Sequence, residues 1–288
     1  MEFMKVMGIN NSLAKVHVAV LLFGIAGLFG KLALPPAVIV LGRVFFGALF
    51  LAAVLRYRKV PVAVRNRSHF LYLLLSGLIL AVHWVAFFQS IKVSTVAIGV
   101  LTFATFPVFV SFLEPYFFRE KLKARNVGAA IAAFAGVAFI IPAGFELENH
   151  LTQGVLWGVF SGFTFALLSL LNRRMVRDYS SIVVSFYQQG TATVLLLPAL
   201  LLEPAALDAE AVLMLALLGI VFTGIAHSLF ISSLKNISTQ TASIIASLEP
   251  LYSVICAALL LGETPSFREV AGGIIILGAT FYATVKAR

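Results

Sequence analysis

Residues 92–127 read KVSTVAIGVLTFATFPVFVSFLEPYFFREKLKARNV and residues 235–270 read KNISTQTASIIASLEPLYSVICAALLLGETPSFREV. Lys92 matches Lys235, Pro107 matches Pro250, Glu120 matches Glu263 and Arg125 matches Arg268, every pair 143 residues apart with no gap. Val127 and Val270 continue the register. Apolar coincidences between two apolar segments carry little information, but four polar or proline matches at one offset identify an internal repeat. A rival alignment of Leu113-Glu114-Pro115 with Leu248-Glu249-Pro250 loses all the other pairs.

The offset is about half of the 288 residues, which divides the chain into copies at 1–145 and 146–288. Of all residues 61% are hydrophobic and 11% charged, with a mean hydropathy of +1.03, whereas soluble domains carry about 25% charged residues. The chain therefore reads as an all-α integral membrane protein. Apolar runs fall at 16–34, 37–55, 70–90, 95–118, 127–145, 151–171, 182–202, 211–234, 238–261 and 270–285, each near the ~20 residues that a transmembrane helix needs. Ten such helices leave no room for a soluble catalytic domain. The first run, preceded by Lys5 and Lys15, has no small-residue cleavage site and reads as a retained helix rather than a signal peptide. Five spans per copy is an odd number, so the second copy lies upside down relative to the first. Inverted repeats of this kind build secondary transporters, with a midplane site between the copies.

Charge placement tests the span count, because cytoplasmic loops collect Lys and Arg. All but Lys31, Arg43, Lys92 and Arg268 among the 21 basic residues fall on one side, in clusters such as Arg56–Arg67, Arg119–Arg125 and Arg173–Arg177. Glu146, Glu148, Glu203, Asp208 and Glu210 fall on the other. Both termini are expected in the cytoplasm, and the net charge of +9 orients the chain in a membrane rather than signalling a nucleic-acid partner. The single cysteine, Cys256, excludes an intrachain disulfide.

The pattern of a proline followed thirteen residues later by glutamate (Pro107 to Glu120, Pro250 to Glu263), within a 5+5 arrangement of spans and short loops, resembles the EamA-like branch of the drug/metabolite transporter superfamily. Within it the chain is most similar to bacterial exporters of amino acids, including aromatic ones, and of metabolites. The resemblance implies a transporter of the inner membrane, with no cofactor, acting as a monomer or homodimer on a small-molecule substrate. Arg43 matches an arginine frequent in the second span of this branch, whereas Tyr187-Gln188 stands at the corresponding place in the second half. Phe23–Phe29 lacks the Trp and Asn often found in the first span of the branch.

Polar groups inside a span are costly and mark cavities or partners. Glu249, beside Pro250, reads as a proton carrier, as an acceptor for a substrate ammonium, or as a carboxylic acid hydrogen-bonded within the bundle. Arg43, about seven residues into its span, has a stem long enough to snorkel but is also a candidate to face the cavity, whereas Lys31, near the outer end of the first span, is expected to snorkel. Glu114 is expected to pair with the basic loop, and Glu120 and Glu263 to brace the loops that follow them. His83, Trp84 and Phe87 in the third span, and His227 in the eighth, fall at matching depths, Trp84 aligning with His227 at the same offset of 143. Trp157, Ser161 and Thr164 form a stripe in the sixth span beside Gly154, Gly158 and Gly162, whose absent side chains let a neighbouring helix approach. That packing would turn the Trp157 stripe inward. Tyr187, Gln188 and Tyr252 complete the candidate cavity, and Pro107 and Pro250 are the candidate hinges. Gly128, Ala132 and Gly136 form a second small-residue face, for packing or for a dimer. No Cys/His cluster suggests a metal site.

A cavity of this composition suits a zwitterion or aromatic metabolite exported by alternating access. A multidrug or nucleotide-sugar carrier is the alternative, although phosphorylated substrates would call for more cavity-facing Lys and Arg than the sequence offers. An intramembrane enzyme would need a nucleophile with a base or an acidic metal cluster, and no span carries either.

Overall fold

The computed structural model describes residues 12–118, 124–141 and 146–285. Lys5, Arg119, Glu120, Lys121, Lys123, Lys286 and Arg288, and the divide at 145, lie outside or at the edge of the described residues. The helices are α1 (Ser12–Ala26, continued by a 3-10 turn at Gly27–Lys31), α2 (Pro36–Tyr57), α3 (Arg67–Val93), α4 (Val96–Phe103), α5 (Phe106–Phe118), α6 (Ala124–Ile140) and α7 (His150–Met175). They continue with α8 (Ser181–Leu196), α9 (Ala199–Leu202), α10 (Ala209–Gly219, followed by a π turn at Ile220–Ile225), α11 (Ala226–Ser233), α12 (Thr239–Ala246), α13 (Glu249–Leu261) and α14 (Phe267–Val285). No strand occurs among the described residues.

Among the described residues, eight helical runs are long and apolar enough to cross a membrane by length and composition. Two further helices, α6 and α14, stand where the other two apolar runs of the sequence fall. The outer surface carries large apolar side chains, among them Leu201, Leu259, Ile131 and Val194, a surface suited to lipid. Helix starts are set by side-chain caps: Asn66, Thr95, Asn149, Ser180, Asp208 and Ser238 each accept a backbone N–H of the first turn that follows.

The two prolines of the repeat explain two breaks. Pro107 and Pro250 lack the N–H that would reach the carbonyls of Phe103 and Ala246 four residues earlier. α4 ends at Phe103 and α12 ends at Ala246, and helix resumes at Phe106 and Glu249. The boundaries of α4 and α5 (96, 103, 106, 118) and of α12 and α13 (239, 246, 249, 261) differ throughout by 143, as do the capping residues Thr95 and Ser238.

Glycines set the close contacts. A Cβ on Gly158 would lie 1.9 Å from Thr102 Oγ1 and one on Gly154 2.3 Å from Ser94 Oγ, so the stripe of α7 brings that helix against α4 and the end of α3. A Cβ on Gly136 would lie 2.9 Å from the carbonyl of Gly272, which joins α6 to α14. The small-residue face of α6 is thus occupied within the chain at Gly136, while Gly128 has open space.

Candidate functional site

Three local features converge on one cavity. The first is the π turn after α10. Gly219, where a Cβ would lie 2.7 Å from both the Arg43 carbonyl and Phe46 Cβ, lets α2 press against this segment. The turn directs Thr223 Oγ1 to donate to the Leu218 carbonyl five residues back, at 2.8 Å, while accepting from Arg43 Nε at 3.0 Å. Such π turns cluster at functional sites. Arg43 is 2% exposed, so it does not snorkel: Thr223 and the face of Trp84, 3.8 Å from Cζ to the ring centroid, hold its guanidinium inside the protein.

The second feature is the pair of helix breaks. Phe103, the last residue of α4, and Glu249, the first of α13, both line the cavity. Ser253 Oγ, one turn after Glu249, donates to the Gly24 carbonyl at 2.7 Å, and a Cβ on Gly24 would lie 2.6 Å from Tyr252 Cβ. This seats α1 on α13 and turns Phe23 and Ala26 to the same space.

The third is a buried polar chain around the two histidines. His83 Nδ1 lies 3.0 Å from the Ser161 carbonyl, an acceptor, so the proton is assigned to Nδ1. His227 Nε2 faces Gln188 Oε1 at 3.0 Å, and Gln188 Nε2 donates to Ser76 Oγ at 3.0 Å and to Asn172 Oδ1. With Nε2 as donor, His227 Nδ1 is a buried acceptor without a protein partner.

The cavity is about 30 Å³ and is lined by Phe23, Ala26, Arg43, His83, Trp84, Phe87, Phe103, Phe165, His227 and Glu249. That volume admits a water or two. Trp84 stands between Arg43 and His227, its ring 5.5 Å from the imidazole edge to face. Phe165 packs 4.9 Å from His83 and 5.3 Å from Phe103, so the aromatic wall continues into the α4–α5 break. Arg43 and Glu249 are not joined by an ion pair, and neither the Arg43 terminal nitrogens nor the Glu249 carboxylate has a hydrogen-bonding protein partner among the described residues.

Of the residues singled out in the sequence, His83, Trp84, Phe87, His227 and Glu249 meet at this cavity. Ser161 and Gln188 stand behind it, each bonded to a histidine. Thr164 Oγ1 donates to carbonyls of its own helix. Trp157 is 40% exposed, packed beside Phe160 on the outer surface. The reason is that the glycine face of α7 already points into the bundle, which turns the adjoining stripe partly outward. Tyr187 donates to the Val62 carbonyl at 2.9 Å and is not among the cavity-lining residues, and Tyr252 is half-buried against α1. Arg43, which the sequence leaves open between snorkelling and the cavity, joins the site, as do Phe23, Phe103 and Phe165, which the sequence did not single out as cavity residues. The phenylalanines have no sequence signal among 26 of their kind, whereas the arginine's depth within its span was a signal.

At one end of the bundle, Lys31 Nζ lies 2.9 Å from Glu263 Oε1 and donates to the Ser94 carbonyl at 2.8 Å. Glu263 Oε2 accepts the first N–H of α4, from Val96, at 3.0 Å. Thr95 Oγ1 donates to Glu269 Oε1 at 2.8 Å beside it. Lys31 thus ends in an ion pair rather than snorkelling free, and Glu263 ties the end of α13 to the ends of α1 and α4. Elsewhere Glu114 pairs with Arg173, in the last turn of α7.

These features define a multi-pass membrane protein with a polar-aromatic cavity among its helices. A sequence model of the EamA-like transporter family matches twice, over residues 13–141 and 152–285, and the chain belongs to that family. It is similar to the uncharacterized transporter YxxF of Bacillus subtilis, 28% identical over 96% of this chain and 90% of the relative. It is also similar to a probable amino-acid metabolite efflux pump of Salmonella typhimurium, 25% identical over 60% of this chain and 62% of that one. An S-adenosylmethionine uptake transporter of Rickettsia bellii is 25% identical over 83% and 80% of the two chains. A solved crystal structure shares the fold, with a TM-score of 0.70 at 20% identity over 96% of this chain and 97% of the other.

Proposed function

We propose that the chain exports amino acids, aromatic ones among them, or similar small metabolites across the bacterial inner membrane by alternating access. In this reading ten helices cross the membrane as two inverted five-helix repeats, 1–145 and 146–288, with both termini in the cytoplasm. The observation that carries it is the Trp84–His227 contact. These residues stand 143 apart, the offset of the repeat, and their rings touch at 5.5 Å. Positions related by a two-fold axis meet only beside that axis, and transporters of inverted-repeat design place substrate there, between discontinuous helices. The family match in two copies and the common offset of the helix breaks support the same arrangement.

Alternating access follows from the breaks. α4–α5 and α12–α13 each carry a flexible joint, beside Pro107 and Pro250, and each joint borders the cavity through Phe103 or Glu249. Tilting one outer segment at a time opens the cavity to one side. The Lys31–Glu263 pair holds the ends of α1, α4 and α13 together, and so serves as the closed gate on its side. The name of the Salmonella relative supports amino-acid metabolites as cargo. A multidrug or nucleotide-sugar carrier is less well supported, since Arg43 is the one cation lining the cavity among the described residues. The test is uptake by proteoliposomes of the purified chain from a panel of labelled amino acids. Saturable uptake of at least one is expected, and flux equal to protein-free liposomes for every one contradicts the reading.

A further inference from the structure

We propose that Arg43 and Glu249 are a two-ended clamp for a zwitterion: Arg43 takes the α-carboxylate of the substrate, Glu249 its ammonium, and the apolar side chain lies along Phe87, Phe103 and Phe165. The inference rests on the reading of the chain as an amino-acid transporter and deepens it.

Both side chains are nine-tenths buried or more, at 2% and 5% exposure, and both line the cavity. A charge buried without a partner is costly, and buried charges are normally paired. Here an arginine and a glutamate share a cavity without a direct ion pair between them. Arg43 is fixed at one edge only, by Nε to Thr223, and by its face on Trp84. Its terminal nitrogens are left as a fork of the shape that binds a carboxylate with two parallel hydrogen bonds. Glu249 opens α13 and offers two acceptor oxygens to a group with three N–H donors. A ligand carrying a carboxylate and an ammonium a few ångströms apart satisfies both, and one carrying a single charge leaves one of them unsatisfied. An anion is repelled by Glu249, and a cation by Arg43. At about 30 Å³ the cavity holds no amino acid in this state, so the clamp closes on substrate as the segments beside the two helix breaks move apart.

The test uses the full chain in proteoliposomes and competition against labelled phenylalanine. The competitors are unlabelled phenylalanine, phenylalaninamide and 2-phenylethylamine, which lack the carboxylate, and 3-phenylpropanoate, which lacks the ammonium. Phenylalanine is expected to compete at least about tenfold better than the other three, the factor that one lost charged hydrogen bond represents. Arg43→Gln is expected to shrink the handicap of 2-phenylethylamine about tenfold, and Glu249→Gln that of 3-phenylpropanoate. Equal competition by all four compounds at the wild-type protein overturns the clamp, as does an unchanged ranking in monodisperse variants. The wild-type ranking decides the matter if a variant does not fold. Failure of any labelled amino acid to enter overturns the transport reading itself, an outcome distinct from entry without discrimination.

Discussion

Trp84 and His227 lie edge to face with ring centroids 5.5 Å apart, while the opposite side of Trp84 is covered by the Arg43 guanidinium at 3.8 Å. One indole thus links the second, third and eighth apolar segments at the wall of the cavity. A desolvated cation–π contact contributes about 2 kcal/mol, so Trp84→Ala is expected to lower the initial rate of amino-acid uptake by about 10- to 30-fold, with a protein that still elutes as a single species. Trp84→Phe keeps a ring face and is expected to lose only a few-fold. Wild-type rates in Trp84→Ala would remove this residue from the site.

Thr223 holds Arg43 through a single hydroxyl. Thr223→Val leaves Arg43 Nε buried without an acceptor, at a cost of about 1–3 kcal/mol. The expected outcome is a raised KM for substrate and a lowered melting temperature in detergent, both restored by Thr223→Ser. A Thr223→Val protein with unchanged KM would show that the π turn has no part in placing the guanidinium.

The Lys31–Glu263 pair joins the ends of α1 and α13, with side chains about a quarter exposed. In a Cys256→Ser background with a reporter cysteine at Ala26, which lines the cavity, Glu263→Gln is expected to raise labelling by a membrane-impermeant maleimide several-fold from the side on which Lys31 lies. Labelling unchanged from that side would mean that the pair does not act as a gate.

Packing predictions contrast two glycines. A Cβ on Gly158 meets Thr102 Oγ1 at 1.9 Å and Thr102 Cβ at 3.0 Å, whereas one on Gly190 meets nothing within 4 Å. Overpacking costs about 1–3 kcal/mol, so Gly158→Ala is expected to lower the melting temperature and Gly190→Ala to leave it unchanged or raise it. Thermal unfolding monitored by intrinsic fluorescence checks both, and equal behaviour of the two variants would contradict the close approach of α7 to α4.

Most of the fold was legible because lipid imposes a long apolar run on each helix and because a repeat leaves its polar residues at a fixed offset. Pro107 and Pro250 announced the breaks in α4–α5 and α12–α13 through a missing N–H, a local cause. The lining of the candidate cavity was legible where a polar group stands deep in a span, as with His83, His227 and Glu249. The sequence leaves Arg43 open between snorkelling and the cavity, because its depth in the helix fits both. What holds it inside is the contact of α2 with Gly219 and the π turn that follows, a tertiary feature with no local signature. Trp157 was expected inward because the direction of a helix face depends on which neighbour its glycines meet. Gly154 and Gly158 meet α3 and α4, which lie within the bundle.

The most direct test of the account is counterflow. Proteoliposomes of the wild-type chain are loaded with unlabelled phenylalanine and diluted into a trace of labelled phenylalanine, and the accumulated label is followed with time. A carrier that alternates around one zwitterion site gives a transient accumulation of label above equilibrium, absent when the vesicles are loaded with phenylalaninamide and absent in Arg43→Gln. Label that never rises above the level in protein-free liposomes, or that rises equally with phenylalaninamide inside, would contradict it.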